Sequence, residues 1–158
     1  MTTPTGPFFR RGVTRFVFCP TVASSAAPTR AEITAGTVLD GITAVSGFQI
    51  ARSFVDTPTL DSSYTSNVPG ERKAGNSMLT FRDDQAASAA IRTALAEGTS
   101  GVMVYMPYGD VPTARCETWP VISAGVNDIV DMTKAAEFEV SFATPTAPVQ
   151  NAVIPAAT

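Results

Sequence analysis

Strict alternation of apolar and polar residues is the feature that most constrains this chain, and it is cleanest in Glu137-Phe138-Glu139-Val140-Ser141-Phe142. Side chains alternate across a strand, so Phe138, Val140 and Phe142 must share a buried face while Glu137, Glu139 and Ser141 point the other way. The same period of two runs through Val45 to Val55, where Phe48, Ile50 and Phe54 fall opposite Gln49, Ala51 and Ser53, and through Ser77 to Phe81. Val13 to Cys19 reads as another short strand, and Gly101 to Met106 is apolar enough to be buried on both faces. Ala114 to Ser123 and Val126 to Asp131 complete the set. Ala124-Gly125 suits a bulge or corner between them, and Pro120 an edge or bulged position.

One helix interrupts the strands. Asp84 to Glu97 places Ala87, Ile91, Ala94 and Leu95 on one stripe, with Asp83 or Asp84 available as a cap and Gly98 as a stop. Pro20 to Gly41 carries turn signals throughout. The expected fold is mainly β, a β-sandwich or half-barrel with one flanking α-helix. A single domain spans residues 13–143, preceded by an N-terminal arm over 1–12 and followed by a C-terminal arm over 144–158. Both arms are rich in Thr, Pro and Ala and are expected to be extended rather than part of the core.

The stretch from Asp56 to Gly75, DTPTLDSSYTSNVPGERKAG, is polar and far longer than a chain reversal needs. Loops of that length in compact domains are functional or disordered. Leu60, Tyr64 and Val68 are its apolar anchors, and Arg72 and Lys73 supply cations near its end. The loop is expected to reach outside its own domain.

Composition narrows the function. With 158 residues the chain can bury roughly 70% of its unfolded surface without a disulfide or metal. Charged residues make up 16%, low for a freely soluble monomer, which points to surface hidden in an assembly. A net charge of −3 argues against a generic nucleic-acid binder. Arg10, Arg11 and Arg15 cluster without interleaved aromatics, as solvated or intersubunit charges do. No signal sequence or apolar membrane span is read from the chain.

The sequence contains no histidine, which removes Ser-His-Asp and Cys-His activation and the His-containing zinc sites. Cys19 and Cys116 lack the spacing of a redox or metal motif and read as buried thiols. Gly70 to Ser77 resembles a phosphate loop, but Asn76 stands where its lysine belongs. Asp128 and Asp131 lack the oxygen-rich spacing of a calcium loop. Trp119 reads as core or interface rather than a ligand platform. No catalytic residue, cofactor or metal ligand is assigned. A carboxylate-dependent hydrolase and a carbohydrate-binding β-sandwich module are the alternatives from other functional classes.

Pro7-Phe8-Phe9-Arg10-Arg11-Gly12, the phrase Ile42-Thr43-Ala44-Val45-Ser46-Gly47-Phe48, the long loop and the strand-helix-strand passage from Asn76 to Pro107 together resemble the tail tube proteins of long-tailed bacteriophages. The resemblance covers about Arg15 to Thr144. It implies a structural, non-enzymatic virion protein whose subunits form hexameric rings, with inner sheets joined into one barrel around a DNA channel. A sister reading is the inner tube of a contractile tail or related injection system. The family's long loop reaches a neighbouring subunit, a role that falls here on Asp56, Leu60, Tyr64, Val68, Arg72 and Lys73. Phe8, Phe9, Arg10 and Arg11 would make the N-terminal arm contacts. Gln49 and Ser53, or Glu137 and Glu139, are the candidate channel-lining residues. The partners implied are further copies of the chain, tape-measure, tail-tip and tail-terminator proteins, and DNA in transit, without membrane binding. The place implied is the virion tail, assembled in the bacterial host cytoplasm.

Overall fold

A computed structural model describes residues 6–7 and 10–156. Within these described residues ten strands and two helices follow one another as β1 (Arg15–Cys19), α1 (Arg30–Ala35), β2 (Thr37–Val38), β3 (Ile42–Ser46), β4 (Ile50–Thr57), β5 (Ser66–Ala74), β6 (Ser77–Arg82), α2 (Gln85–Ala94), β7 (Ser100–Met106), β8 (Arg115–Ile129), β9 (Glu137–Ala143) and β10 (Val149–Val153). Eight strands form one antiparallel sheet in the order β2-β1-β7-β8-β9-β6-β3, with β10 added on β8. The remaining two, β4 and β5, pair only with each other.

Fifteen-residue β8 organises the sheet. β7 pairs along one side of it, from Tyr105 opposite Glu117 to Ser100 opposite Ile122. Along the other side β10 takes Arg115 to Thr118 and β9 takes Ile122 to Ile129. Pro120, opposite Val102 of β7, falls in the gap between these two partners, so β8 is locally an edge there. The two strands expected on either side of Ala124-Gly125 are thus one strand, bulged between Ser123 and Val126 with Gly125 at φ +109°.

The sheet curls. β2 and β3 lie at opposite ends of the strand order, yet only Leu39, Asp40 and Gly41 join them, a linker that can span no more than about 14 Å. The Leu39 N–H donates to the Phe16 carbonyl at one end (3.0 Å), and the Arg82 N–H to the Gly41 carbonyl at the other (2.8 Å). No ladder connects β2 to β3, so the curled sheet remains open.

Alternation gives the sheet two buried faces. Phe16, Phe18, Leu79, Phe81, Met103, Trp119, Val121, Phe138, Val140 and Phe142 fill the inside of the curl, closed by Ile91 of α2 and by Leu95 just past its end. Phe81 stacks on Phe138 with centroids 5.1 Å apart. On the opposite face Val17, Cys19, Val102, Val104, Met106 and Cys116 are covered by Ile33 of α1 and by Ala152 and Ile154. The adjacent strands β1, β7 and β8 therefore contribute to both clusters by simple parity.

Several expectations change. The C-terminal segment expected as an extended arm supplies β10, and Ile154 is fully buried. α1 was not expected. Thr29 and Glu32 form a reciprocal capping box, the Thr29 Oγ1 accepting from the Glu32 N–H (3.3 Å) and the Glu32 carboxylate from the Thr29 N–H (2.7 Å). At α2 neither aspartate caps. Asp84 makes no side-chain cap bond and Asp83 pairs with Arg92 at 2.9 Å, while the Ser88 Oγ accepts the Asp84 N–H at 2.7 Å. The helix ends at Ala94, and its buried row is Ser88 and Ile91, continued by Leu95, with Ala87 exposed.

The strand expected from Val45 to Val55 is broken at Gly47 and Phe48, which take φ +80° and +55°. A Cβ at Gly47 would stand 2.5 Å from the Asn76 carbonyl oxygen, so only glycine turns here. The turn drives Phe48 into the core, its ring 5.5 Å from those of both Phe16 and Trp119, and its N–H donates to Ser77 Oγ. The Asp56 to Gly75 stretch corrects the largest expectation. It is mostly strand, the outer part of a hairpin whose only irregular portion is residues 58–65.

Candidate assembly interface

Hairpin β4–β5 carries its own hydrogen bonds and almost nothing else. Register runs from Ile50 opposite Ala74 to Thr57 opposite Ser66, and neither strand packs extensively on any other element. Eight residues of β4 extend about 27 Å, so the tip stands well away from the base. One residue of β5 is looped out between Arg52 and Phe54. Gly70 makes room there, since a Cβ would come within 2.9 Å of Ser53 Oγ and Val55 Cγ2.

Apolar side chains on this hairpin lack a body to cover them. Leu60 and Tyr64 project from the tip with 109% and 77% of their surface exposed, and Phe54 on β4 keeps 65%. Val55 and Val68, directly opposite each other, are half exposed. Asp56 faces Asn67 near the tip, and Arg72 and Lys73 lie near the base, where Arg72 stands opposite Arg52. Like charges directly across a ladder repel. The Ser53 hydroxyl donates to the Glu71 carbonyl at 3.2 Å, within the hairpin.

The other sequence-selected residues fall in two places. Glu137 and Glu139 lie on the half-buried face of β9 that turns away from the inner core, opposite Arg82 and Thr80 of β6 and Ile129 and Asn127 of β8. Ser53 is on β4 of the two-stranded sheet and Gln49 lies in the break just before it, so neither shares a sheet with the two glutamates. Arg10 donates to the Tyr105 hydroxyl. Phe8 and Phe9 lie outside the described residues.

Arg10, Arg11 and Gln49 do meet, along a groove of about 1010 Å³ at the seam where the sheet fails to close. Its buried lining includes Phe16 and Phe48, and Arg15 and Tyr105 complete it. The sequence reading missed this groove because its walls come from β1, from residues 38–49 and from Tyr105 of β7.

The remaining titratable groups do structural work. Burial pushes the Cys19 and Cys116 thiols up to about 11, with Glu32 adding to the first, and holds them protonated and unreactive at neutral pH. Arg92 joins Asp83 to Asp128 (2.9 and 2.6 Å) and lies 4.3 Å above the Phe138 ring. Hydrogen bonds from Thr133 hold the Asp131 carboxyl below its ordinary range. Trp119 is core, its indole N–H donating to Glu117 at 3.1 Å. Among the described residues no three His, Cys, Asp or Glu side chains are grouped to hold a metal, and no helix is long and apolar enough to cross a membrane.

Known structures share this fold. One chain in the tail of an empty gene transfer agent particle, refined with C6 symmetry, is 11% identical with a TM-score of 0.54, covering 89% of this chain and 95% of that one. A chain from the virion of a native gene transfer agent particle is 15% identical with a TM-score of 0.53 over 75% of this chain and 91% of its own. A chain from the sheath/tube terminator of an extracellular contractile injection system is 8% identical with a TM-score of 0.62, over 92% and 98%. Curated protein sequences yield no match. A family model described as phage tail tube protein matches residues 1–157. With that match over nearly its whole length, the chain belongs to the phage tail tube protein family, whose members are structural subunits of the tail.

Proposed function

We propose that this protein closes head to tail into hexameric rings that stack into a tube, and that DNA crosses the tube during ejection. The projecting hairpin carries the reading. A regular ladder that exposes Phe54, Val55, Leu60, Tyr64 and Val68 has interface composition without an interface inside its own chain. The open ends of the sheet at β2 and β3 add backbone groups that a neighbour can pair, and ring closure is the arrangement that leaves no such edge.

A wall that conducts DNA must not bind phosphate. Glu137 and Glu139 line the channel in this reading, because they stand on the half-buried face of β9 that turns away from the inner core and carry the repelling sign. Ring edges left at either end are the surfaces that initiating, length-setting and terminating proteins would cover. Two buried free thiols suit assembly in a reducing cytoplasm.

Electron microscopy of the purified, concentrated protein tests the reading. The expected outcome is a hollow six-fold tube with Glu137 and Glu139 on the inner wall and the hairpin bridging subunits. Filaments without a lumen, or a map placing both glutamates on the outer wall, would overturn it.

A further inference from the structure

We propose that the groove at the open seam of the sheet is the receptor for the hairpin tip of a second copy of this chain. The inference rests on the assembly reading above and adds the identity of the partner surface. Sign is the first argument. From Asp56 to Gly70 the hairpin holds two carboxylates, Asp56 and Asp61, and no cation. The groove is lined by Arg10, Arg11 and Arg15 against the single carboxylate of Asp40. Opposite signs on the two surfaces steer and orient the encounter.

Shape and hydropathy agree. Leu60 and Tyr64 leave the tip with nothing to cover them, and the groove offers Phe16 with the rings of Phe48 and Tyr105 at 5.5 and 4.9 Å from it. A buried aromatic lining beneath a charged rim is the composition that receives an aromatic anchor. At about 1010 Å³ the groove is large enough for a peptide turn.

Geometry excludes the chain's own tip as the occupant. Gly47, Phe48 and Gln49 line the groove, and β4 starts at Ile50, so the groove lies at the base of the hairpin. The tip is about 27 Å along a continuous ladder and cannot fold back without breaking it. Tip-to-base contact must then be between molecules. Such contact uses two different patches on each subunit and repeats without limit or closes into a ring.

Charge reversal tests the pairing. Arg15→Glu and Asp61→Arg should each raise the protein concentration needed for tube formation by about tenfold or more, and the two together should bring it back to within about threefold of the original. Circular dichroism checks that each variant is folded. A second measurement uses Val45→Cys on the groove wall with Tyr64→Cys at the tip. Mild oxidation of assembled protein should give a ladder of disulfide-linked multimers, undisturbed by the two buried native thiols. A control variant replaces residues 59–64 with Asn-Gly. If the control makes no tubes while Arg15→Glu assembles normally, or if the double reversal is no better than either single one, the groove assignment falls and the hairpin's role stands. If the control itself makes tubes at normal yield, both fall.

Discussion

β10 and the β4–β5 hairpin are both polar strands in stretches rich in Thr, Pro and small residues, yet one is part of the core and the other stands clear of it. The difference lies in two side chains. Ala152 and Ile154 follow the β10 ladder into the cluster of Val17, Val104 and Met106, so pairing with β8 and burial reinforce each other. The hairpin has more exposed apolar surface than β10, because beyond Ile50 and Ala74 at its base, which pack on the core, its ladder has no body to cover it. Segments of similar composition thus divide into one that stabilises the monomer and one that leaves its apolar side chains uncovered.

Truncation should separate these roles most sharply. Ile154→Ala removes a fully buried side chain and should cost about 2 to 5 kcal/mol of monomer stability in denaturant unfolding. Tyr64→Ala, at an exposed tip, should stay within about 0.5 kcal/mol of the original in the same measurement while impairing tube formation. Comparable losses of monomer stability from the two would break the comparison, since they would place the tip in contact with its own body.

Acid provides a smaller contrast. The Glu32 carboxyl lies below its ordinary value of 4.5, first because the Ala23 N–H and then because the Thr29 N–H donate to it. A carboxyl depressed on folding contributes stability that is present above the unfolded value and lost as pH falls through the folded one. The loss should therefore set in as pH drops below about 4.5 and continue beneath it. Its target is α1, whose Ile33 shares a cluster with Ile154. Hydrogen exchange should quicken on α1 and β10 in that window and not on the hairpin, and Glu32→Gln should remove the pH dependence. Equal quickening across both regions would show that the hairpin depends on the body after all.

Much of this division was legible in the residues. β6 and β9 follow from period two, and β7 from an apolar run long enough to be buried on both faces, patterns that burial enforces. α2 follows from the spacing of Ile91 and Leu95. The outer hairpin reads as a loop from sequence because its ladder buries no face, and Pro69, Gly70 and three charges in β5 hide any strand propensity. Its outward reach was still readable, since Leu60, Tyr64 and Val68 stand among polar residues with no period to bury them. Thr29-Arg30-Ala31-Glu32 carried the capping-box signal for α1. The break at Gly47-Phe48 had no such signal: a left-handed phenylalanine is held by tertiary packing, which local pattern does not encode. The seam groove depends on that break and on three separated segments, so it became visible only in the fold.

The smallest expected effect concerns the hairpin alone. Arg52 and Arg72 stand directly opposite each other, so the free hairpin carries a repulsion that its own sequence could remove. Arg52→Glu converts the pair to opposite charges and should stabilise the ladder by about 0.2 to 1 kcal/mol. Amides of β4 and β5 should then exchange more slowly, by up to about fivefold, with global unfolding unchanged. If a partner carboxylate meets this pair in the tube, the same variant should assemble less well, and high salt should narrow the gap. Slower exchange with normal assembly would mean that the arginine pair faces solvent in the tube. Unchanged exchange would mean that the two guanidinium groups already lean apart, leaving the hairpin no internal strain for a neighbour to relieve.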